Sequence, residues 1–193
     1  RLVGSEMCIR DSKDVVGFDL AGPEVGFSVL NHKEACALAV ENNINVTLHA
    51  DWEVPEGIKE VVLDSKAKRV GHGSQIINDI SFENGSIRFK NDAAKYVFDN
   101  RIALEICPTS NVQCGAYSNV SEHSFGELYT AGFNVTINTD NRLMSDITMS
   151  EEVSNVVESF GLGEKDILSI TKNTIDAGFV GQELKSKALE KLS

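Results

Sequence analysis

Apolar residues cluster in short runs along the chain, and each run is followed by a segment whose apolar positions have helical spacing. The runs predict five strands, at residues 15–22, 44–50, 69–73, 102–108 and 135–140. Most of these runs are rich in β-branched residues, as buried strands are. Strands that alternate with helices at this interval indicate parallel βαβ units. Five such units fit either an open doubly wound sheet or part of a barrel.

The segments around these runs predict helices. They lie at residues 31–41, 57–66, 92–98 and 125–131, and a last helix is expected at 165–176. Thr148 and Glu151 stand in the positions of a capping box ahead of the apolar residue Val153. A further helix is therefore expected to begin at Thr148.

Length and charge narrow the possible classes of fold and partner. The chain has 193 residues, of which 41% are hydrophobic, whereas a complete (β/α)8 barrel typically needs about 250 residues. The net charge of -11 argues against a nucleic-acid surface, because phosphate binding needs clustered Lys and Arg. No segment approaches the roughly 18 apolar residues of a membrane span. We therefore expect neither a nucleic-acid nor a membrane partner, and the oligomeric state stays open.

The cysteines indicate the compartment. The chain has four, Cys8, Cys36, Cys107 and Cys114, and none of them forms a C-x-x-C pair. A structural zinc ribbon or a thioredoxin-like site is therefore not expected. Sparse cysteine in a chain with core-like apolar runs favours a reducing, cytoplasmic setting. A disulfide between Cys107 and Cys114 is accordingly not expected.

The first twelve residues, RLVGSEMCIRDS, show no periodicity and lack the apolar core of a secretory signal. They resemble a translated sequencing-library adapter. The alternative is a natural, disordered N-terminus. We therefore predict a non-native segment at residues 1–12 and a single folded unit at residues 13–193.

Polar residues stand at or near the C-terminal end of three predicted strands. They are His49, His72 and Asp140. In parallel barrels the active site forms at that face from several strands, and imidazole and carboxylate groups both suit zinc. The alternative is that each is an ordinary polar residue at the rim of the sheet. No glycine-rich phosphate-binding loop follows a strand, so binding of nucleotide phosphates has no support.

Four motifs carry a resemblance to a known family. They are the segments 17–22 (GFDLAG), 69–73 (RVGHG), 104–111 (LEICPTSN) and 138–141 (NTDN). In order and spacing they are similar to motifs of the adenosine deaminase family, and the likeness runs from about residue 14 to about residue 179. The resemblance implies an incomplete (β/α)8 TIM-type barrel that lacks its N-terminal strands, with about five βα units and C-terminal helices. It also implies Zn²⁺ as cofactor.

The resemblance implies roles at the metal centre. His49 and Asp140 would be zinc ligands. His72 would hold the zinc-bound hydroxide and help to move its proton. Asp19 would support the site from behind.

The resemblance also implies contacts to a purine. Gly22 would offer its backbone N–H to a ring nitrogen, and Asn141 would stand where the family usually has an Asp that contacts the other side of the ring. Ser110 and Asn111 are expected on the rim with no assigned role. His123 is expected to be structural.

One departure from the family concerns the metal ligands. The family's H-x-H pair is absent from this sequence, whose only histidines are His32, His49, His72 and His123. A barrel also does not close with five strands, so an open sheet edge is expected. We therefore expect the isolated chain to bind zinc poorly, to be inactive and to be prone to aggregation.

A second departure concerns the proton donor. The family motif H-A-G-E reads His49-Ala-Asp-Trp-Glu53 here. Glu53 is the expected catalytic acid if the loop carries one extra residue, and Asp51 is a weaker candidate. Aligned without a gap, Trp52 takes the acid's place, and an indole N–H does not donate a proton as a carboxylic acid does.

The resemblance implies hydrolytic deamination of adenosine and deoxyadenosine to inosine and ammonia in the full-length parent, with a small-molecule purine nucleoside as partner. One alternative is deamination of another purine, such as adenine or a modified nucleoside. Another is a catalytically dead purine-binding relative. The P-C-x-x-C signature of the other zinc deaminase class is absent, so that chemistry on that fold is excluded.

Overall fold

The computed structural model describes residues 15–50, 54, 56–83 and 86–192. Residues 1–12, Asp51, Trp52 and Glu53 lie outside the described residues, and so do the predictions made for them. Among the described residues, the strands are β1 (Gly17–Leu20), β2 (Asn45–Ala50), β3 (Arg69–His72), β4 (Ile80–Glu83), β5 (Ser86–Phe89), β6 (Ala103–Ile106) and β7 (Val135–Ile137). All five strands predicted from the apolar runs are present, each shorter than its run.

The main sheet has the strand order β1-β2-β3-β6-β7, and every neighbouring pair is parallel. Each strand therefore lies beside the next parallel strand along the chain, without the reversal of order that defines a doubly wound sheet. This resolves the choice left by the sequence in favour of a barrel-type winding. Within the described residues, β1 and β7 each pair with a single neighbour.

Helices follow the strands. They are α1 (Lys33–Glu41), α2 (Gly57–Lys59), α3 (Asp92–Asp99), α4 (Pro108–Gln113), α5 (Phe125–Ala131), α6 (Arg142–Ser145), α7 (Met149–Phe160), α8 (Glu164–Ala177) and α9 (Gln182–Glu190). The helix α2 continues as a π-helical segment, Glu60–Asp64, and short 3-10 segments occupy Val29–His32, Ser74–Asp79 and Val120–Glu122. The predicted capping box is confirmed at the start of α7: the Thr148 side chain accepts the Glu151 backbone N–H, and the Glu151 carboxylate accepts the Thr148 backbone N–H.

Two expectations about the elements were wrong or incomplete. The helix predicted at 165–176 is not the last one, because α9 follows it. None of the residues of α9 is buried, so the helix was not predicted from a core-facing apolar pattern. The sequence reading also missed the antiparallel hairpin of β4 and β5, although its connection reads Asn84-Gly85, a strong hairpin signal.

The hydrophobic core lies on one face of the main sheet, between the strands and the helices. The fully buried centres of its strands are Leu48, Val70, Leu104 and Val135, and Val62, Leu128, Val156 and Ile170 pack around them from the helical segments. The opposite face carries polar residues, and there Thr47 and Arg69 both bond to the Glu105 carboxylate. Of the described cysteines, Cys36 and Cys107 are buried and Cys114 is exposed. Among the described residues, no helix combines the length and apolar character needed to cross a bilayer.

Candidate active site

The C-terminal ends of β2, β3 and β7 bring the predicted polar residues together. His49 and His72 stand at the ends of adjacent strands, with their ring centroids 5.2 Å apart in an edge-to-face arrangement. Asp140 follows β7, and its Oδ2 lies 3.8 Å from His72 Nε2. Residues far apart in sequence thus converge on one face of the sheet, as the parallel topology predicts.

Asp19, on β1, holds His49 in place. His49 Nδ1 lies 3.1 Å from Asp19 Oδ1 and 3.0 Å from Oδ2. Burial lowers the pKa of His49, but the hydrogen bond and charge of Asp19, with the charges of Asp140 and Glu105, outweigh burial and leave that pKa raised. A carboxylate behind a histidine fixes the ring so that the other nitrogen faces a metal.

Close packing against the His49 ring explains the first glycine of the 69–73 motif, Gly71. A Cβ placed on Gly71 would lie 2.7 Å from His49 Nδ1 and 2.8 Å from His49 Cγ. Such contacts are shorter than packed atoms tolerate, so the His49 ring rests directly over the backbone of β3. Only glycine leaves room for the ring at this position.

Two of the converging residues have an unusual backbone. His72 has φ of 57° and Asp140 has φ of 55°, both in the left-handed region. Non-glycine residues adopt this region rarely, and such residues concentrate at functional sites.

The helix α4 completes the site, which corrects the sequence prediction for its first turn. Ser110 and Asn111 were expected on the rim without a role, but both are buried, at 7% and 2% exposure. Ser110 Oγ donates to Asp140 Oδ2 at 2.8 Å. Asn111 Nδ2 lies 3.4 Å from His72 Nδ1. Only the packing of α4 against the ends of β3 and β7 gives these residues their partners.

His123 lies behind Asn111 and is buried, with 2% exposure. Its Nε2 lies 3.1 Å from Asn111 Oδ1, and the backbone N–H of Phe125 donates to its Nδ1 at 2.9 Å. Burial, with a smaller contribution from His72, lowers the pKa of His123 to about 4. The structural role expected of His123 is therefore that of a neutral, buried hydrogen-bonding group next to the site.

The donor atoms at the site fit zinc. His72, Cys107 and Asp140 each offer one ligand atom, and these atoms all lie within 4.8 Å of one another. His49 adds a second imidazole beside His72. Imidazole, carboxylate and thiolate are the ligand types that Zn²⁺ uses in proteins. Cys107 was not expected as a ligand, although it too stands at a strand end, and its Sγ donates to the Glu105 carbonyl at 3.4 Å.

A cavity of about 510 Å³ opens beside His49, within the range of small-molecule sites. Its lining includes Gly22, Phe27, Val29 and Val61. Gly22 has φ of +143°, a conformation that favours glycine. Asn141 is exposed, and its Oδ1 accepts the Met144 backbone N–H at 3.3 Å, so here it caps α6.

Comparison with known proteins places the chain in a family. The family model described as adenosine deaminase matches residues 5–193. An adenosine deaminase of Mycobacterium marinum is 40% identical over 192 residues, which cover 97% of this chain and 52% of that protein. An adenosine deaminase of Mycobacterium sp. strain JLS is 42% identical over 180 residues, 91% of this chain and 49% of that protein. The chain therefore spans about half the length of the curated relatives it matches.

Solved structures share the fold. An adenine deaminase from Arthrobacter aurescens superposes with a TM-score of 0.86 at 20% identity and covers 99% of this chain and 55% of its own. The apo N6-methyl-AMP deaminase of Arabidopsis thaliana gives a TM-score of 0.76 at 27% identity, over 92% of this chain and 49% of its own. A zinc-bound amidohydrolase from Burkholderia ambifaria gives 0.78 at 20% identity, over 98% and 52%. These matches, each over about half of the neighbour, confirm the expected incomplete barrel-type α/β fold. Motifs, sheet topology and relatives agree that the chain belongs to the adenosine deaminase family.

Proposed function

We propose that the chain forms part of a zinc-dependent hydrolase that converts adenosine and deoxyadenosine to inosine and ammonia. The observation that carries this proposal is the convergence of His49, His72 and Asp140, of which His49 also lines a cavity of about 510 Å³. Family membership supports the reaction class.

The residues of the chain divide the work at the metal centre. His49 and Asp140 would hold zinc, which supplies a bound water whose pKa falls towards about 7. Asp19 orients His49, and Ser110 orients Asp140, so both side chains are set before a substrate arrives. His72 Nε2 lies 3.8 Å from Asp140 Oδ2 and can hydrogen-bond an oxygen held at the same centre.

The substrate would lie in the cavity with its ring close to His49. In this proposal the backbone N–H of Gly22 contacts one ring nitrogen and Asn141 contacts the other side of the ring. Glu53 protonates the ring nitrogen next to the amine-bearing carbon. The oxygen of water adds to that carbon, the carbon–nitrogen bond breaks, ammonia leaves and a keto purine remains.

Two other functions belong to the same test. Relatives by fold include an adenine deaminase and an N6-methyl-AMP deaminase, so adenine and N6-modified purines are the competing substrates. A purine-binding protein without turnover is the third possibility, supported by Trp52 at the position where the family has its acid.

The test uses a chimera, because the chain spans about half the length of its relatives. Residues 13–193 replace the matching region of the Mycobacterium marinum adenosine deaminase. Formation of the deaminated, keto purine product is measured by chromatography with adenosine, deoxyadenosine, adenine and N6-methyl-AMP, because N6-methyl-AMP would release methylamine rather than ammonia. We expect turnover of the two nucleosides, a loss of about 100-fold to 10,000-fold for His72→Ala, and little change for the exposed control Lys187→Ala.

Two results decide the proposal. A folded chimera that contains stoichiometric zinc but turns over none of the four purines refutes it. The 193-residue chain by itself is expected to bind zinc weakly, since the two proposed ligands fall short of the three or four protein ligands typical of zinc sites. A tight stoichiometric zinc site in that chain would contradict the assignment of ligands.

A further inference from the structure

We propose that Asn111 is a positioning residue that fixes the protonated nitrogen of His72, and that His123 in turn fixes Asn111. The consequence for chemistry rests on the proposed function, but the hydrogen-bond chain itself does not. It gives a role to Asn111 of the 104–111 motif, which the family resemblance left without one.

The hydrogen-bond chain that runs from Phe125 through His123 and Asn111 to His72, here called the relay, begins at a backbone N–H, which can only donate. The backbone N–H of Phe125 is a donor and lies 2.9 Å from His123 Nδ1. His123 Nδ1 must therefore accept, and in the neutral ring the proton sits on Nε2. Burial favours this neutral form of His123.

The second step orients the Asn111 amide. His123 Nε2–H points at the Asn111 side-chain oxygen, 3.1 Å away. The opposite orientation of the amide would set two N–H groups against each other at a buried position, at a cost of about 1–3 kcal/mol. Asn111 Oδ1 is thus turned towards His123, and the NH2 group is turned towards His72.

The amide of Asn111 connects the relay to His72 in the site. Asn111 Nδ2–H donates to His72 Nδ1 at 3.4 Å. The neutral His72 ring then carries its proton on Nε2, the nitrogen that lies 3.8 Å from Asp140 Oδ2. His72 presents a donor to the centre.

His49 has the opposite arrangement. Its Nδ1 lies against Asp19, so a neutral His49 carries the proton there and presents the lone pair of Nε2. The two neighbouring imidazoles therefore differ in function. His49 is set to ligate a metal, and His72 is set to donate a hydrogen bond to an oxygen. His72 is therefore not assigned as a metal ligand, although its donor atom lies within 4.8 Å of those of Cys107 and Asp140.

Packing holds the relay rigid. The Tyr117 ring lies on the His123 ring, with centroids 4.0 Å apart. The Tyr117 hydroxyl bonds to Ser74 Oγ at 3.2 Å and to Ser124 Oγ at 2.8 Å. The relay is thus tied both to the segment that follows β3 and to the start of α5.

The test reads the protonation of the ring nitrogens directly, by two-bond proton–nitrogen correlation NMR of the uniformly nitrogen-15-labelled chimera after its metal has been removed with a chelator. The measurement is made at about pH 8, above the ordinary histidine pKa of about 6.5. The four histidines of this chain are assigned by single replacements. We expect His72 and His123 to show protonated Nε2 and unprotonated Nδ1, and His49 to show a protonated Nδ1.

The decisive variant is Asn111→Asp, which keeps the shape and replaces the donor with an acceptor. We expect it to move the His72 proton to Nδ1, while the matched amide-to-carboxylate control Asn173→Asp leaves the His72 pattern unchanged. If Asn111→Asp loses its dispersed spectrum, Asn111→Ala is measured instead and should show both tautomers of His72.

Two outcomes overturn the proposal. One is a wild-type His72 with its proton on Nδ1. The other is a His72 pattern that neither Asn111 variant changes. Turnover is not needed for any of these measurements, so failure of the chimera assay and failure of the relay are separate results.

Discussion

Acid should destabilise this protein through His123 specifically, between pH 6.5 and pH 4. The His123 ring is buried and neutral, with a pKa lowered to about 4 from an ordinary value of 6.5. When the chain unfolds, the ring regains water and its ordinary pKa. Protonation of the unfolded chain therefore begins well before protonation of the folded protein.

The sign and size follow from linkage. Between the two pKa values the unfolded state binds more protons, so stability falls as pH falls. The contribution of His123 is complete above about pH 6.5 and is lost as pH drops to about 4. A shift of about 2.5 units corresponds to about 3 kcal/mol of unfolding free energy at 1.36 kcal/mol per unit.

The assay is urea unfolding followed by circular dichroism at several pH values from 7 to 4. The control variant is His123→Asn, whose side-chain oxygen can still accept the Phe125 N–H but does not titrate in this range. Other groups, such as His49 with its raised pKa, titrate in both proteins. The difference between wild type and variant therefore isolates His123.

We expect wild type to be the more stable protein at pH 7 and its advantage over His123→Asn to shrink by about 3 kcal/mol at pH 4. An advantage that stays constant across this range would refute the reasoning. It would mean that the His123 ring is protonated in the folded protein, which contradicts its acceptance of the Phe125 N–H.

Three further predictions concern single substitutions. Gly71→Ala places a Cβ against the His49 ring, so in the active chimera zinc affinity measured by chelator competition should fall about 10-fold to 100-fold; unchanged affinity would contradict the contact. Ser110→Ala removes the donor to Asp140 and should lower the unfolding free energy in urea by about 1 kcal/mol. An unchanged unfolding free energy would contradict this prediction. Thr148→Ala removes the cap of α7 and should cost about 1 kcal/mol in urea unfolding, whereas Thr148→Ser should retain most of it.

Much of the fold could be predicted from sequence because the central strands carry buried apolar residues, such as Leu48, Val70 and Leu104, between polar segments. The strand ends were less accurate. The run at 135–140 was read as one strand, but β7 ends at Ile137, and Asn138 donates to the Thr136 side chain at 2.8 Å. The hairpin was missed because β4 and β5 are short and largely outside the core.

The candidate site was predictable where it depends on strand ends. His49, His72 and Asp140 were identified because topology alone brings strand ends together. Ser110 and Asn111 were not, because the partners of a helix's first turn depend on how the helix packs, and no local pattern records that.

The left-handed backbone at His72 and Asp140 has a consequence for engineering. Each such conformation costs on the order of 1 kcal/mol for a non-glycine residue, and glycine would adopt it without that cost. A library selected only for thermal resistance would therefore be drawn towards glycine at these two positions. Such variants would withstand heat better and would have lost the donor groups that define the site, so any screen for a hardier version of this protein must select for activity at the same time.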